Sequence, residues 1–164
     1  MANVLFFGKE FQAFRNAAER AIALNPMDGD TSACMGCLMA FAGDWEHSCA
    51  LAERAMQLNP HHPGWYCYAD FYNSYRQGDY RGALGAALKI NLPGSWGTNF
   101  VLAAAYGQLG EREAAGKAVR GLLALRPDFA VVAREELGKW FDVELVEHLI
   151  DGLRKAGLEI AVEK

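Results

Sequence analysis

A proline that returns at nearly constant intervals is the feature that most constrains the fold of this chain. Pro26, Pro60, Pro93 and Pro127 follow one another at spacings of 34, 33 and 34 residues, and each comes after an apolar segment such as AERAIALNP or AERAMQLNP. Proline lacks the N–H that a helix interior needs and disfavours helical geometry in the preceding residue, so each one marks a helix end. A period of roughly 20 to 50 residues is typical of stacked structural repeats.

A second break divides each period about halfway. Gly43, Gly78 and Gly110, in AGDWEH, RQGDYR and QLGERE, suit a tight turn between two helices, and Gly8 in FFGKEF does so more weakly. Apolar and small residues in the second halves recur at helical spacing, so those helices have one face to bury. Each repeat is therefore predicted to be a helical hairpin of a helix A and a helix B.

The hairpins resemble those of the tetratricopeptide repeat family over residues 7–129. Apolar, tyrosine, glycine, alanine and proline positions of the family signature are matched by Leu102, Tyr106, Gly110, Ala115 and Pro127 in the last unit, and by Gly36, Trp45, Ala55 and Pro60 in the second. The third unit departs from the pattern, because Asp70 stands where a small residue is usual. We expect its helix A, over residues 63–77, to be offset or slightly longer.

This resemblance implies an all-α fold, an α-solenoid of antiparallel helix pairs with a C-terminal capping helix. Residues 1–128 would hold about three and a half repeats, the first one truncated, and residues 129–164 the capping helices. The last helix is predicted from Asp142, a suitable N-cap, to Lys155, with the apolar stripe Leu145, Val146, Leu149, Ile150 and Leu153 facing inward.

A closer resemblance lies in the segments HHPGWY, LKINLP, VLAAAYGQLG, LLALRPDF and DGLRKAGL. They are similar to the repeat region that follows the catalytic or DNA-binding domain of bacterial adenylate cyclases and related signalling regulators. The resemblance implies an oligomerisation or sensor region of such a protein. Ala2 to Phe7 would be the last turns of a helix A whose beginning is absent, so we expect either a piece of a longer protein or other cover for Val4 to Phe7. We predict that this truncated end self-associates into a homo-oligomer.

Charge and composition narrow the functional classes. Sixteen Lys and Arg against twenty Asp and Glu give a net charge of −4, which does not favour binding to nucleic acid or to an anionic membrane. No apolar run approaches the ~18 residues of a membrane span, and the first residues lack the pattern of a signal peptide. We therefore expect a cytoplasmic protein with reduced thiols, no membrane partner and no cofactor.

The segment from Trp65 to Tyr75, WYCYADFYNSY, has six aromatic residues in eleven and raises the question of a binding surface. In the tetratricopeptide architecture the A helices line a concave groove. The family's groove positions correspond here to Ala33, Cys37 and Phe41 in the second unit, to Cys67, Phe71, Ser74 and Tyr75 in the third, and to Phe100, Ala104 and Gln108 in the fourth. The groove would be apolar and aromatic.

That composition predicts a non-catalytic scaffold or adaptor that binds a protein or peptide. None of the groove positions carries the Lys or Arg with which chaperone-binding relatives grip a carboxylate. An apolar peptide or helix is the favoured partner, with Phe41, Phe71 and Tyr75 as the principal contacts. The alternative is that the rings only fill the core, and full burial of Phe71 and Tyr75 would remove the main support for the groove.

Metal and catalytic sites are weakly indicated. Cys34 and Cys37 have C-x-x-C spacing, but they lie within one predicted helix and no second pair of zinc-ligand knuckles follows. No nucleophile is paired with a base, and the histidines are scattered, so we predict neither a metal site nor an enzyme. Asp28 and Asp30 are interpreted as turn residues, with Asp30 or Thr31 as the N-cap of the next helix.

Overall fold

The structure, a computed structural model, describes residues 2–161, and these form an all-α fold. They contain ten α-helices and no β-strand. The helices are α1 (Ala2–Phe7), α2 (Phe11–Leu24), α3 (Gly29–Phe41), α4 (Trp45–Leu58), α5 (Tyr68–Arg76), α6 (Tyr80–Lys89), α7 (Trp96–Leu109), α8 (Arg112–Leu125), α9 (Phe129–Gly138) and α10 (Val143–Lys155). The outer ends of the two predicted regions, residue 1 and residues 162–164, lie outside this range.

Glycine and proline set the helix boundaries as the sequence predicts. The turns between α3 and α4 and between α7 and α8 contain Gly43 and Gly110 at φ 85° and 74°, a left-handed conformation that side chains with a Cβ disfavour. The first turn differs, because there Lys9, at φ 59°, takes the left-handed conformation instead of Gly8. Helices α2, α4 and α8 each end two residues before a repeat proline.

Two predicted helix starts are wrong in detail. The helix predicted from residue 63 begins as a 3₁₀ turn, Gly64–Cys67, and becomes α-helical only at Tyr68. Gly64 is held against the backbone that follows α6, where a Cβ would lie 3.1 Å from the amide nitrogen of Asn91, so the chain is crowded at this point. Helix α3 is capped by Asp28, not by Asp30 or Thr31, since its carboxylate accepts from both of their amides at 3.0 and 3.2 Å.

Each helix packs on at least one neighbour in sequence. The interior has two main apolar clusters, one large and one small, and a minor third cluster of Ala33, Ala55 and Tyr66. The large one spans α5 to α10, and the small one is built from α1, α2 and α3. Phe41 and Trp140 pack against both clusters and connect them. The residues after α9 therefore contact the beginning of the chain.

The C-terminal helix does more than cap the last hairpin. Its predicted apolar stripe is buried, and the carboxylate of Asp142 accepts from the amide of Leu145 at 2.8 Å, which confirms Asp142 as its N-cap. Helix α10 packs mainly on α7, where Gly107 faces Gly152 with no side chain between the two backbones. A Cβ on Gly107 would lie 2.8 Å from the amide nitrogen of Ala156, so only glycine fits this crossing.

The N-terminal aromatic residues are partly covered by Trp140. Phe6 is fully buried, with its ring centroid 6.3 Å from that of Trp140 and 5.6 Å from that of Phe14. Phe7 also contacts Trp140, at 4.9 Å, but keeps 49% of its surface exposed. Self-association through this end stays a prediction. Within residues 2–161, no helix is both long and apolar enough to cross a membrane.

Candidate functional site

An aromatic cleft of about 250 Å³ opens between the first helices of three successive hairpins and the segment that contains α9. One wall comes from α3, α5 and α7, and the other from α9 and the residues that follow it. Its lining residues are Phe41, Tyr68, Tyr72, Ser95, Trp96, Gly97, Phe100, Glu136, Leu137, Trp140 and Phe141. We call this set the aromatic cleft.

Helical periodicity places the rings of the first wall. Tyr68 and Tyr72 are one turn apart on α5 and stack with their planes 17° apart and their centroids separated by 6.1 Å. Trp96 and Phe100 are likewise one turn apart on α7, with centroids 6.1 Å apart. Because residues spaced by four lie on one side of a helix, both pairs face the same space.

Phe41, at the end of α3, joins the two walls. Its ring meets Tyr72 at 5.3 Å, Phe141 at 4.8 Å and Trp140 at 6.0 Å, each in an edge-to-face arrangement. Such ring pairs contribute about 0.5–1.5 kcal/mol each beyond the area that they bury. The cleft is therefore pre-formed, because these contacts fix the ring positions without a ligand.

Polar groups within the cleft are few. Tyr72 has only 6% of its surface exposed, and none of the described residues forms a hydrogen bond with its hydroxyl. Burial raises the pKa of Tyr72 well above its usual value, so the hydroxyl is a proton donor at neutral pH. Burial also raises the pKa of Tyr68, while a hydrogen bond with Ser95 opposes that shift.

Charged groups sit at the rim. The carboxylate of Glu136 accepts a hydrogen bond from the Lys139 ammonium at 2.6 Å. The guanidinium of Arg126 lies over the ring of Trp96, 5.4 Å from its centroid, and pairs with Asp128 at 3.2 Å. The rim thus carries both signs of charge, and its cations already have partners.

The predicted groove residues are only partly brought to this cleft. Phe41 and Phe100 line it, although Phe100 is almost fully buried. Phe71 and Tyr75 have no exposed surface, so the expectation that they line an open groove is wrong. Of the remaining predicted contacts, Cys67 is buried in the core, while Cys37 and Gln108 are half-buried outside the cleft.

Helix α10 is the reason that Tyr75 and Gln108 are unavailable. The Tyr75 hydroxyl donates to the carbonyl of His148 at 3.2 Å, and the Gln108 amide donates to the Asp151 carboxylate at 2.9 Å. Lys155 in turn donates to the Gln108 side-chain oxygen at 2.9 Å. The part of the inner surface that the sequence assigned to a partner is thus occupied by the chain's own last helix.

His148 lies in the same contact between helices. Its Nε2 is 2.8 Å from the Tyr80 hydroxyl, and its ring centroid is 4.7 Å from that of Tyr75. Burial lowers the pKa of His148; the charge of Lys155 also lowers it, while Asp151 and Glu144 raise it. A neutral imidazole that carries its proton on Nδ1 accepts a hydrogen bond from the Tyr80 hydroxyl at Nε2, and the other tautomer donates one, so the contact needs no charge.

Sequence reasoning missed Tyr68, Tyr72, Trp96, Glu136, Trp140 and Phe141 as lining residues. The i, i+4 spacing of Trp96 and Phe100 was a usable signal for a shared face. Trp140 and Phe141 gave no such signal, because they follow α9 and were assigned to a cap.

The four cysteines are free thiols, and burial raises the pKa of each, that of Cys37 to about 12. Such thiols are poor nucleophiles at neutral pH. In the described part of the chain, no three His, Cys, Asp or Glu side chains form a group suited to a metal ion.

No protein-family model and no curated protein sequence matches this chain. The tetratricopeptide resemblance therefore stays a prediction.

Proposed function

We propose that this protein is a non-catalytic binding module of the tetratricopeptide type, which holds a segment of a partner protein in the aromatic cleft. The proposal differs from the sequence expectation in its site. Phe41 and Phe100 remain, whereas the surface around Tyr75 and Gln108 belongs to α10. The partner segment would contact α3, α5 and α7 on one side and α9 on the other.

The spacing of the helices supports the repeat assignment. Successive helix pairs start 32 to 35 residues apart. Their first residues are Gly29 of α3, Gly64 of the 3₁₀ turn before α5, Trp96 of α7 and Phe129 of α9. The pairs α3–α4, α5–α6 and α7–α8 have short turns, and the two helices of each pair pack most closely on each other. A stack of such pairs presents its first helices side by side, which is where three elements of the cleft originate.

The observation that carries the proposal is an accessible cavity between elements that are far apart in sequence, lined with rings. Ligand sites are concave and mainly apolar, with a few polar groups that fix orientation. Aromatic residues are also enriched at the centres of protein interfaces, since they bury much area at a low cost in side-chain entropy. The aromatic cleft meets both descriptions.

Selection of displayed peptides against the wild-type protein and a filled variant tests the proposal. Ser95→Trp places a large ring inside the cleft, and Asn91→Trp adds the same ring at an exposed position outside it. We expect enriched peptides to bind the wild type and the Asn91 variant alike and to lose binding to the Ser95 variant. Peptides that bind all three proteins equally, or a selection without enrichment, would reject the cleft as the binding site.

A further inference from the structure

The size of the aromatic cleft sets the size of the group that fills it. A cavity of about 150 Å³ accommodates one benzene ring, and pockets for drug-sized ligands begin near 300 Å³. At about 250 Å³ the cleft lies between these values. It is too large for one small apolar side chain and suits a single group of two fused rings.

The unpaired hydroxyl of Tyr72 indicates what else that group must carry. A hydroxyl that faces a cleft without a partner in the protein is available to donate a hydrogen bond to a ligand. Tyr72 lines the cleft, and its hydroxyl has no partner among residues 2–161. A bound carbonyl oxygen would accept a hydrogen bond from this hydroxyl.

Glu136 supplies the complementary acceptor. One of its carboxylate oxygens accepts from Lys139, but a carboxylate has about four acceptor sites, so it retains capacity for a further donor. A cationic ligand would have to compete with Lys139 for Glu136 and with Arg126 for the face of Trp96 that this guanidinium occupies. A neutral N–H donor fits better.

On the basis of the proposed function, we propose that the partner segment is anchored in the aromatic cleft by a tryptophan. The indole packs against the rings of Phe41, Trp96 and Trp140. Its N–H donates to Glu136, and a backbone carbonyl of the anchor accepts from Tyr72. Among the natural residues only tryptophan combines two fused rings with a neutral N–H donor.

The test uses the full chain and four soluble probes: N-acetyl-tryptophanamide, its 1-methyl derivative, N-acetyl-leucinamide and indole. Binding is followed by saturation-transfer NMR and by titration of backbone amide shifts. We expect N-acetyl-tryptophanamide to bind at least tenfold more tightly than the leucine probe. Methylation of the ring nitrogen should weaken binding roughly five- to tenfold, the effect of one lost hydrogen bond.

Matched variants assign these effects to single atoms. Tyr72→Phe removes only the unpaired hydroxyl and should weaken the binding of N-acetyl-tryptophanamide about fivefold. Tyr106→Phe removes a hydroxyl outside the cleft and should leave the affinity for this probe unchanged. Glu136→Ala should abolish the difference between the methylated and unmethylated probes. Glu135→Ala, at the exposed neighbouring position, should preserve that difference.

Each contrary result has a distinct meaning. Equal binding of the tryptophan and leucine probes, or no effect of Tyr72→Phe and Glu136→Ala, overturns the tryptophan anchor. If indole alone binds as tightly as N-acetyl-tryptophanamide, the occupant is a free aromatic molecule and the peptide anchor is wrong. Cleft-dependent displayed peptides without tryptophan would overturn the anchor while retaining the proposed function. If the soluble probes bind as expected but no displayed peptide depends on the cleft, the proposed function is rejected instead.

Discussion

The crossing of α7 and α10 allows a stability prediction with opposite signs at two glycines. At Gly107 a Cβ would meet the backbone of α10, lying 2.8 Å from the amide nitrogen of Ala156 and 3.0 Å from the carbonyl carbon of Gly152. Real Cβ atoms do not approach backbone atoms so closely, and a backbone cannot rotate away as a side chain can. Gly107→Ala must therefore push α10 off α7.

The magnitude follows from two opposing effects. Alanine in a helix interior gains about 1 kcal/mol over glycine, and overpacking a tight core costs about 1–3 kcal/mol. Since the contact is between backbones, we take the upper end of the cost, which leaves a net loss of about 2 kcal/mol. For a chain of this length this corresponds to a fall in Tm of roughly 4–8 °C.

Gly85→Ala is the matched control. Gly85 lies within α6, is exposed, and has no atom within 4 Å of the position that its Cβ would occupy. Only the gain in helix propensity remains there, so Tm should rise by roughly 2–4 °C. Calorimetry and urea unfolding of both variants measure the pair. A Gly107→Ala protein as stable as the wild type would refute the close crossing of α7 and α10.

Three further predictions concern titration, capping and thiol reactivity. Burial lowers the folded-state pKa of His148, so the unfolded chain binds more protons as the pH falls. The stabilising contribution of a neutral His148 is therefore full above about pH 6.5 and is lost as pH falls through the lowered pKa. The difference in unfolding free energy between pH 7.5 and pH 5.5, measured with urea, should be smaller in His148→Gln than in the wild type. Asp28→Ala should cost about 1 kcal/mol through loss of the α3 cap, whereas Glu111→Ala, at an N-cap without a side-chain bond, should leave the unfolding free energy nearly unchanged. Cys37, whose thiol pKa is raised to about 12 by desolvation, should react slowly with iodoacetamide at pH 8 until urea unfolds the chain, and rapid native labelling would contradict the raised pKa.

The helix boundaries were predictable because they depend on local chemistry. Proline and glycine act on their own backbone and on that of immediate neighbours, so Pro60 and Gly43 mark breaks wherever the helices later pack. The errors at Asp28 and at Gly64 have different causes. Any of several adjacent polar residues suited the cap of α3, and the crowding of Gly64 by the residue 91 backbone arises from a contact distant in sequence.

The site was less predictable because its second wall comes from elsewhere in the chain. Periodicity showed that α10 has an apolar stripe but not which surface that stripe covers, and the same pattern fits a terminal cap or a helix lying on α7. Phe71 and Tyr75 consequently looked like groove residues although they are buried. Phe41 lines the aromatic cleft, where no residue of α10 covers the end of α3.

The burial of α10 also decides how a partner can bind. Five apolar side chains of its stripe are buried, and at about 1.5–3 kcal/mol each their burial contributes on the order of 10 kcal/mol, comparable with the whole stability of a typical domain. A partner that first had to displace α10 would in effect have to unfold the protein. The aromatic cleft requires no such displacement, since it is open while α10 is docked. A ligand there contacts α9 and α3 at once, so it should stabilise the packing of α9 on the preceding helices. At a ligand concentration of a hundred times its Kd, the gain in unfolding free energy is about 2.7 kcal/mol.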